Sequence, residues 1–150
     1  MKAVLGVAVL AAAVATQATA QNTYQQQIIR QLTSAATAVQ SQGYAADRAP
    51  VMGSLNDNAQ EGVLLQLAAG GHFAILGVCD NDCTDVDLRV YDPMGNMLGE
   101  DILVDDHPVV EFIAPSTGQY RVNVIMATCN TNPCYYGVQV YARGGGGGGK

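Results

Sequence analysis

The chain has 150 residues, 49% of them hydrophobic, and its 7 basic and 13 acidic residues give a net charge of −6. A chain this acidic lacks the basic surface that binds phosphate backbones, so nucleic acid is not an expected partner. The length corresponds to a single domain with a real hydrophobic core.

Residues 1–20 have the features of a secretory signal peptide. Met1 and Lys2 form a charged start, an apolar run spans residues 3–15, and Ala18-Thr19-Ala20 has the form of a cleavage site. The apolar run is shorter than the roughly 20 residues that cross a bilayer, so we expect cleavage, not anchoring, and no membrane span afterwards. The mature protein is predicted to begin at Gln21 and to be secreted, either to the periplasm or outside the cell.

Residues 21–43 have the period of an amphipathic helix. Thr23 and Gln26 have the spacing of a capping box, which indicates a helix start, and Gly43 is a suitable stop. The apolar stripe between them consists of Tyr24, Ile28, Leu32, Ala35, Ala36 and Val39. The stripe predicts that the helix packs on the domain or tethers it. Self-association or partner docking through the stripe is the alternative.

The rest of the chain predicts a connector and then an all-β domain. Residues 44–60 are rich in turn-forming residues and lack a sustained period, which is typical of a connector. Residues 61–143 contain short alternating runs, which predict strands at 63–67, 73–78, 86–91, 97–103, 109–113, 120–126 and 135–142. We therefore predict a jelly-roll-like antiparallel β-sandwich of about seven or eight strands, with the first two runs joined as a hairpin. Residues 144–150 form a flexible Gly-rich tail, either natural or an added tag.

The four cysteines of an exported chain favour disulfides. Three residues separate Cys79 from Cys83 and four separate Cys129 from Cys134, so bridges within each pair are expected. Bridges between the two loops are the rival, because both loops fit at one end of a sandwich. A four-cysteine zinc site is a third alternative, although its usual two-residue spacings are absent.

Four phrases of the sequence resemble the bacterial pre-peptidase C-terminal domain. They are LQLAAG at 65–70, FAI at 73–75, DVDLRVYD at 85–92 and APSTGQYRV at 114–122. The resemblance implies a secreted, non-catalytic β-sandwich module, with relatives that bind calcium or assist attachment to insoluble substrates such as collagen. This chain carries no protease domain and has two additional cysteine pairs, so a stand-alone, helix-tethered relative is expected.

Acidic residues concentrate between residues 80 and 106. Calcium takes six to eight oxygen ligands, which carboxylates and carbonyls near turns supply. The candidate calcium ligands are Asp80, Asp82, Asp85, Asp87, Asp105 and Asp106. The EF-hand pattern fails, because Asp85 stands where its glycine is required. The alternative is a solvated acidic rim whose side chains cap turns and keep strand edges from pairing.

The candidate binding residues are Arg89, Tyr135 and Tyr141. Arg89 shares a strand face with Asp87, and it either forms a surface pair there or binds a polar partner. Tyr135 and Tyr141 share one face of the last strand, where their rings are placed to stack on sugar or protein. Tyr136 is expected in the core.

These features favour a secreted, non-catalytic binding module that recognises an extracellular protein or polysaccharide, with calcium as a candidate stabilising ion. The alternative is a structural subunit that self-assembles through the helix and the sheet edges. An enzyme ranks third, because His72 and His107 both lie in predicted turns and no G-x-S-x-G or H-E-x-x-H motif is present.

Overall fold

The computed structural model describes residues 12–144, with side chains from residue 23 onward. Most of the predicted signal peptide (residues 1–11) and of the Gly-rich tail (residues 145–150) lies outside the described residues. The described part contains one helix and nine strands. Their bounds are α1 (Ala12–Gln40), β1 (Tyr44–Ala46), β2 (Val51–Leu55), β3 (Gln60–Leu67), β4 (His72–Cys79), β5 (Cys83–Tyr91), β6 (Met97–Asp101), β7 (Val109–Ile113), β8 (Gly118–Cys129) and β9 (Cys134–Arg143).

The strands form two antiparallel sheets, which confirms the predicted sandwich. The first sheet has the order β1-β9-β4-β7, with β2 also paired to β9, and the second has the order β3-β8-β5-β6. The inner faces of the two sheets supply one continuous core that includes Ile75, Leu88, Tyr120, Met126 and Val138. Alternate burial along β5 and β8 follows from the period of two of a strand whose other face meets solvent.

The predicted hairpin between residues 63–67 and 73–78 is wrong. The strands β3 and β4 belong to different sheets, and Gly70, at a φ of 77°, turns the chain from one sheet to the other. Their burial explains the separation: β3 buries one face only, whereas β4 is buried along nearly its whole length. A strand buried on both faces needs a second covering layer, which α1 provides.

The helix packs on the outer face of the first sheet. Four side chains of the predicted apolar stripe are buried there: Ile28, Leu32, Ala36 and Val39. They meet Ala74, Leu76 and Val78 of β4 and Tyr141 of β9. The helix therefore packs on the domain, which is the first of the two roles predicted for its apolar stripe.

The predicted helix stop is confirmed, whereas the predicted start at Thr23 applies to the chain after cleavage before Gln21 and stays a prediction. The helix already begins at Ala12 and runs through the expected cleavage point, because the alanine-rich segment before it has high helix propensity. It ends at Gln40, and Gly43 follows with a φ of 87° and donates its N–H to the Gln40 carbonyl. Within residues 12–144, no helix combines the length and hydrophobicity needed to cross a membrane.

The segment 44–60 is more than a connector. It contributes β1 and β2, which pair in succession with the two halves of β9. Sequence reasoning missed these strands because they are short and partly exposed, so neither has a clear apolar alternation. The predicted strand 97–103 is also too long, since β6 ends at Asp101.

Candidate functional site

Four loops meet at one end of the sandwich, here called the disulfide end: residues 56–59, 80–82, 102–108 and 130–133. Both predicted disulfides form there, Cys79–Cys83 and Cys129–Cys134, with Cα atoms 5.9 and 5.8 Å apart. Each bridge closes a turn through which the chain passes from one sheet to the other. Cys83 and Cys129 are partners in the β5–β8 ladder, so the two bridged turns are neighbours.

Asp80 joins these two turns from inside. Its side chain is buried, with 1% exposure. One carboxylate oxygen accepts the backbone N–H of Tyr135 at 2.9 Å, and the other accepts that of Asp82 at 3.2 Å. Burial raises the pKa of Asp80, although these hydrogen bonds oppose the shift. Asp80 was predicted as a calcium ligand, but both of its oxygens already serve the backbone of the disulfide end.

Asp57, in the loop 56–59, binds the turn that is closed by the second disulfide. Its carboxylate accepts the backbone N–H of Cys129 at 2.8 Å, while its own N–H donates to the Asn132 side chain at 2.6 Å. The sequence placed Asp57 in a connector with turn chemistry and did not predict its bonds to the second bridged turn. The signal available was an Asp-Asn pair, which commonly fixes turns by side-chain hydrogen bonds.

Two other candidate calcium ligands, Asp85 and Asp87, have raised pKa values at the beginning of β5. Burial and then the charge of Asp105 raise the pKa of Asp85, and burial and then Asp85 raise the pKa of Asp87. The Oδ1 atom of Asp85 is buried and has no hydrogen-bond partner among the described residues. No group of three or more His, Cys, Asp or Glu side chains in the described part is arranged to hold a metal ion. Calcium binding stays a prediction.

The loop after β6 carries an exposed apolar tip made of Ile102, Leu103 and Val104. Their exposed fractions are 49%, 67% and 87%. Asp101 fixes the loop at its base, where its carboxylate accepts the N–H groups of Val109 at 2.9 Å and of Leu103 at 3.3 Å. These two bonds fix the base of the loop that carries the apolar tip.

Asp105 fixes the far side of the tip. Its N–H donates to the Leu103 carbonyl at 2.8 Å, and its own carbonyl accepts the N–H of Val86 at 3.0 Å. Its carboxylate accepts the N–H of His107 at 3.1 Å. Sequence reasoning placed Ile102 and Leu103 in a strand and missed the tip. The signal available was the run of three apolar residues between aspartates that cap turns.

His107 closes this loop through a hydrogen bond to the Asp106 side chain. Its Nδ1 atom lies 2.7 Å from the Asp106 carboxylate and 3.9 Å from that of Asp105. The hydrogen bond to Asp106, together with the charges of Asp105 and Asp101, raises the pKa of His107. Asp106, another candidate calcium ligand, is therefore already paired with a side chain.

The candidate binding residues do not form one surface. Tyr141 is buried beneath α1, and the ring of Tyr135 stacks on Tyr24 of the helix with centroids 4.4 Å apart. The prediction that Tyr141 offers a free ring is wrong, because the helix covers that face of β9. Tyr136 is in the core, as expected. Arg89 forms an ion pair with Glu100 on the neighbouring strand at 2.8 Å, in place of the expected pair with Asp87.

No protein-family model matches the chain, and no curated protein matches it. Among solved structures, it is similar to PliG of Aeromonas hydrophila, a periplasmic lysozyme inhibitor of g-type lysozyme. The TM-score is 0.47 and the sequence identity is 16%, over 64% of this chain and 88% of that chain. Similarity at this level transfers neither a partner nor a residue role.

Proposed function

We propose that this chain is a secreted, non-catalytic binding module that docks on an extracellular protein through the apolar tip. The observation that carries the proposal is the exposure of Ile102, Leu103 and Val104 on a loop held by Asp101 and Asp105. Contiguous exposed apolar surface with a polar rim is typical of protein interaction sites. A loop that is already ordered loses little conformational entropy when it binds, which favours affinity.

The charges around the tip indicate the chemistry of its partner. Asp101, Asp105 and Asp106 border the three apolar side chains, and the whole chain carries a net charge of −6. A complementary surface therefore has an apolar pocket with a basic rim, and this arrangement speeds association by electrostatic steering.

A protein partner is better supported than a polysaccharide. Sugar recognition commonly uses exposed aromatic rings, and the two rings predicted for that role are covered by α1 or stacked on it. Self-assembly through the helix also loses support, because its apolar stripe is packed on the first sheet. The two disulfides fit an oxidising compartment. Membership in the pre-peptidase C-terminal family stays a prediction.

Site-directed photocrosslinking tests the proposal. A benzophenone amino acid is placed at Leu103 in the secreted protein, and Met94, 86% exposed in the turn at the opposite end of β5, is the matched control position. We expect ultraviolet light to link position 103, but not position 94, to a second extracellular protein. Competition by unlabelled wild-type protein should remove the product, whereas competition by Leu103→Ser protein should not.

Two other results would contradict the proposal. A product with twice the mass of the chain assigns the tip to self-association, the alternative function. Equal labelling from positions 94 and 103 means that the tip has no preference over any other exposed apolar side chain.

A further inference from the structure

The free edge of β3 is the longest open strand edge in the described part of the protein. β3 ends one side of the second sheet, where its eight residues pair one to one with β8. It contains no proline, lysine or bulge, three features that protect edges from further strands. Its one charged residue, Glu61, accepts the Tyr136 hydroxyl at 2.5 Å. The strands at the other sheet edges, β1, β2, β6 and β7, have at most five residues each.

The backbone of β3 directs hydrogen-bonding groups to this edge. In an antiparallel ladder, alternate residues turn both their N–H and their C=O groups to the partner strand. Met126 donates its N–H to the Ala59 carbonyl at 2.8 Å, so Ala59 faces β8. The alternate residues Gln60, Gly62 and Leu64 therefore face away from β8, and all three are exposed. Such a row of main-chain donors and acceptors fits the backbone of an extended strand.

Arg48 closes one end of this row. From the segment between β1 and β2, its guanidinium donates to the Gln66 carbonyl at 3.2 Å, and Gln66 is the next outward-facing residue after Leu64. The same alternation thus places an accepting carbonyl at the edge. The open length runs from Gln60 to Leu64.

A cation lies beside the open edge on the outer face of the second sheet. Arg121, opposite Leu64 on β8, has its guanidinium over the Tyr91 ring, 4.8 Å from the centroid. It forms no ion pair with a carboxylate of the described residues. A Cβ atom added at Gly62 would lie 3.2 Å from the Cγ and Cδ atoms of Arg121. Because glycine has no side chain, Arg121 can be reached from the edge across this position, and a carboxylate suits its N–H groups.

We propose that the free edge of β3 binds an extended segment of another protein as an additional antiparallel strand, and that Arg121 binds a carboxylate side chain of that segment. The acidic residue lies opposite Gly62 on the outer face. A second copy of β3 does not supply this carboxylate, because its one acidic residue, Glu61, has its side chain on the other face. The apolar tip follows β6 at the opposite edge of the same sheet, so this site is additional to the proposed docking surface.

NMR titration of the full chain tests this proposal with two five-residue peptides. Acetyl-Thr-Val-Glu-Val-Thr-amide carries the carboxylate at its centre, and the same peptide with glutamine at the centre is the neutral control. We expect the glutamate peptide to bind with a dissociation constant on the order of 1 mM and to shift the amides of Gln60, Gly62 and Leu64. The glutamine peptide should shift the same amides but bind about fivefold more weakly, because it lacks the charge.

N-methylation distinguishes strand pairing from other modes of contact. In an antiparallel pair, the peptide residue opposite Gly62 directs its N–H to β3, whereas the N–H of the next residue points away. A methyl group on the glutamate nitrogen should therefore remove binding, and one on the nitrogen of the following valine should leave it nearly unchanged. Equal affinities of the two methylated peptides would overturn the proposal.

Matched variants locate the carboxylate. Arg121→Gln should weaken binding of the glutamate peptide about fivefold and leave the glutamine peptide unchanged. Arg89→Gln, on the same sheet face but already paired with Glu100, should change neither affinity. Equal losses in the two variants would contradict the role of Arg121.

The free protein supplies the remaining control. Shifts of the Gly62 and Leu64 amides that grow with chain concentration, in the absence of peptide, would assign the edge to a second copy and would also overturn the proposal. We expect no such shifts. None of these results bears on crosslinking from Leu103, so this proposal and the proposed function can fail separately.

Discussion

The carboxylate of Asp80 accepts the backbone N–H of Tyr135 at 2.9 Å, and the backbone N–H of Asp80 donates to the Tyr135 carbonyl at 3.0 Å. These bonds connect the turn closed by the first disulfide to the strand that begins at the second. The disulfide end is therefore one connected unit of two bridges and a buried carboxylate. Loops supported in this way present their exposed side chains in a single arrangement.

Removal of the Asp80 side chain should destabilise the fold even with both disulfides intact. Asp80→Ala leaves the N–H groups of Tyr135 and Asp82 without their acceptor, so we expect a loss of about 2 kcal/mol in the free energy of unfolding. Urea denaturation under oxidising conditions measures it. Asp82→Ala is the control, and its loss should stay below about 0.5 kcal/mol. Equal losses would show that Asp80 has no special role.

The acidic start of β5 should make stability depend on pH. Burial and Asp105 raise the pKa of Asp85 in the folded state. A carboxyl group whose folded pKa is raised retains its proton better when folded, so stability falls as pH rises from the ordinary aspartate pKa of 3.8 through the raised value. Asp85→Asn should therefore raise the Tm at pH 7 and change it little at pH 3.

Asp92, at the other end of the same strand, is the control of opposite sign. Hydrogen bonds from Asn96 and neighbouring backbone groups lower the pKa of Asp92, so its contribution to stability is present above the ordinary aspartate pKa of 3.8 and is lost as pH falls through the lowered value. Asp92→Asn should lower the Tm at pH 7 and have a smaller effect at pH 3. Thermal unfolding followed by circular dichroism checks both variants. Shifts of the same sign at pH 7 would contradict the assignment.

The packing of α1 on β9 should require glycine at position 137. A Cβ atom added there would clash with Ile28 and lie 3.2 Å from Leu32, at the centre of the contact between α1 and β9. Gly137→Ala should therefore destabilise the protein by about 1–3 kcal/mol and expose α1 to proteases. Limited proteolysis measures the cleavage rate within the helix. Gly144→Ala, which meets nothing within 4 Å, is the control and should leave that rate unchanged.

Calcium binding is a prediction that thermal unfolding decides. The carboxylates of Asp80, Asp105 and Asp106 already have hydrogen-bond partners, and burial and the charge of a neighbouring carboxylate raise the pKa values of Asp85 and Asp87. Because no ready-made group of ligands is present in the described part, we expect only weak binding, with a dissociation constant of about 0.1–1 mM. Calcium should raise the Tm, excess chelator should reverse the rise, and Asp85→Asn should abolish it. An unchanged Tm at 10 mM calcium, about ten times the expected constant, would leave the aspartates as a solvated rim.

The fold class, the buried side of α1 and the favoured disulfide pairing could be predicted from the amino-acid sequence. Each depends on residues that are close in the chain: the alternation in 86–91, the short spacing of Cys79 and Cys83, and the recurrence from Ile28 to Val39. Helix and strand periods follow from backbone geometry, so they can be read without knowledge of distant partners.

The grouping of strands into sheets, the covered rings and the paired aspartates could not be predicted from local sequence patterns. Tyr141 is buried because a helix about a hundred residues earlier in the chain packs on it, and Asp80 has its partner on a strand that begins 54 residues later. Such contacts depend on how distant elements are brought together by burial of the whole core. The apolar tip is an intermediate case, because Asp101 and Asp105 hold it outside the sheet by local hydrogen bonds, whereas the bond from Val86 to the Asp105 carbonyl joins it to a distant strand.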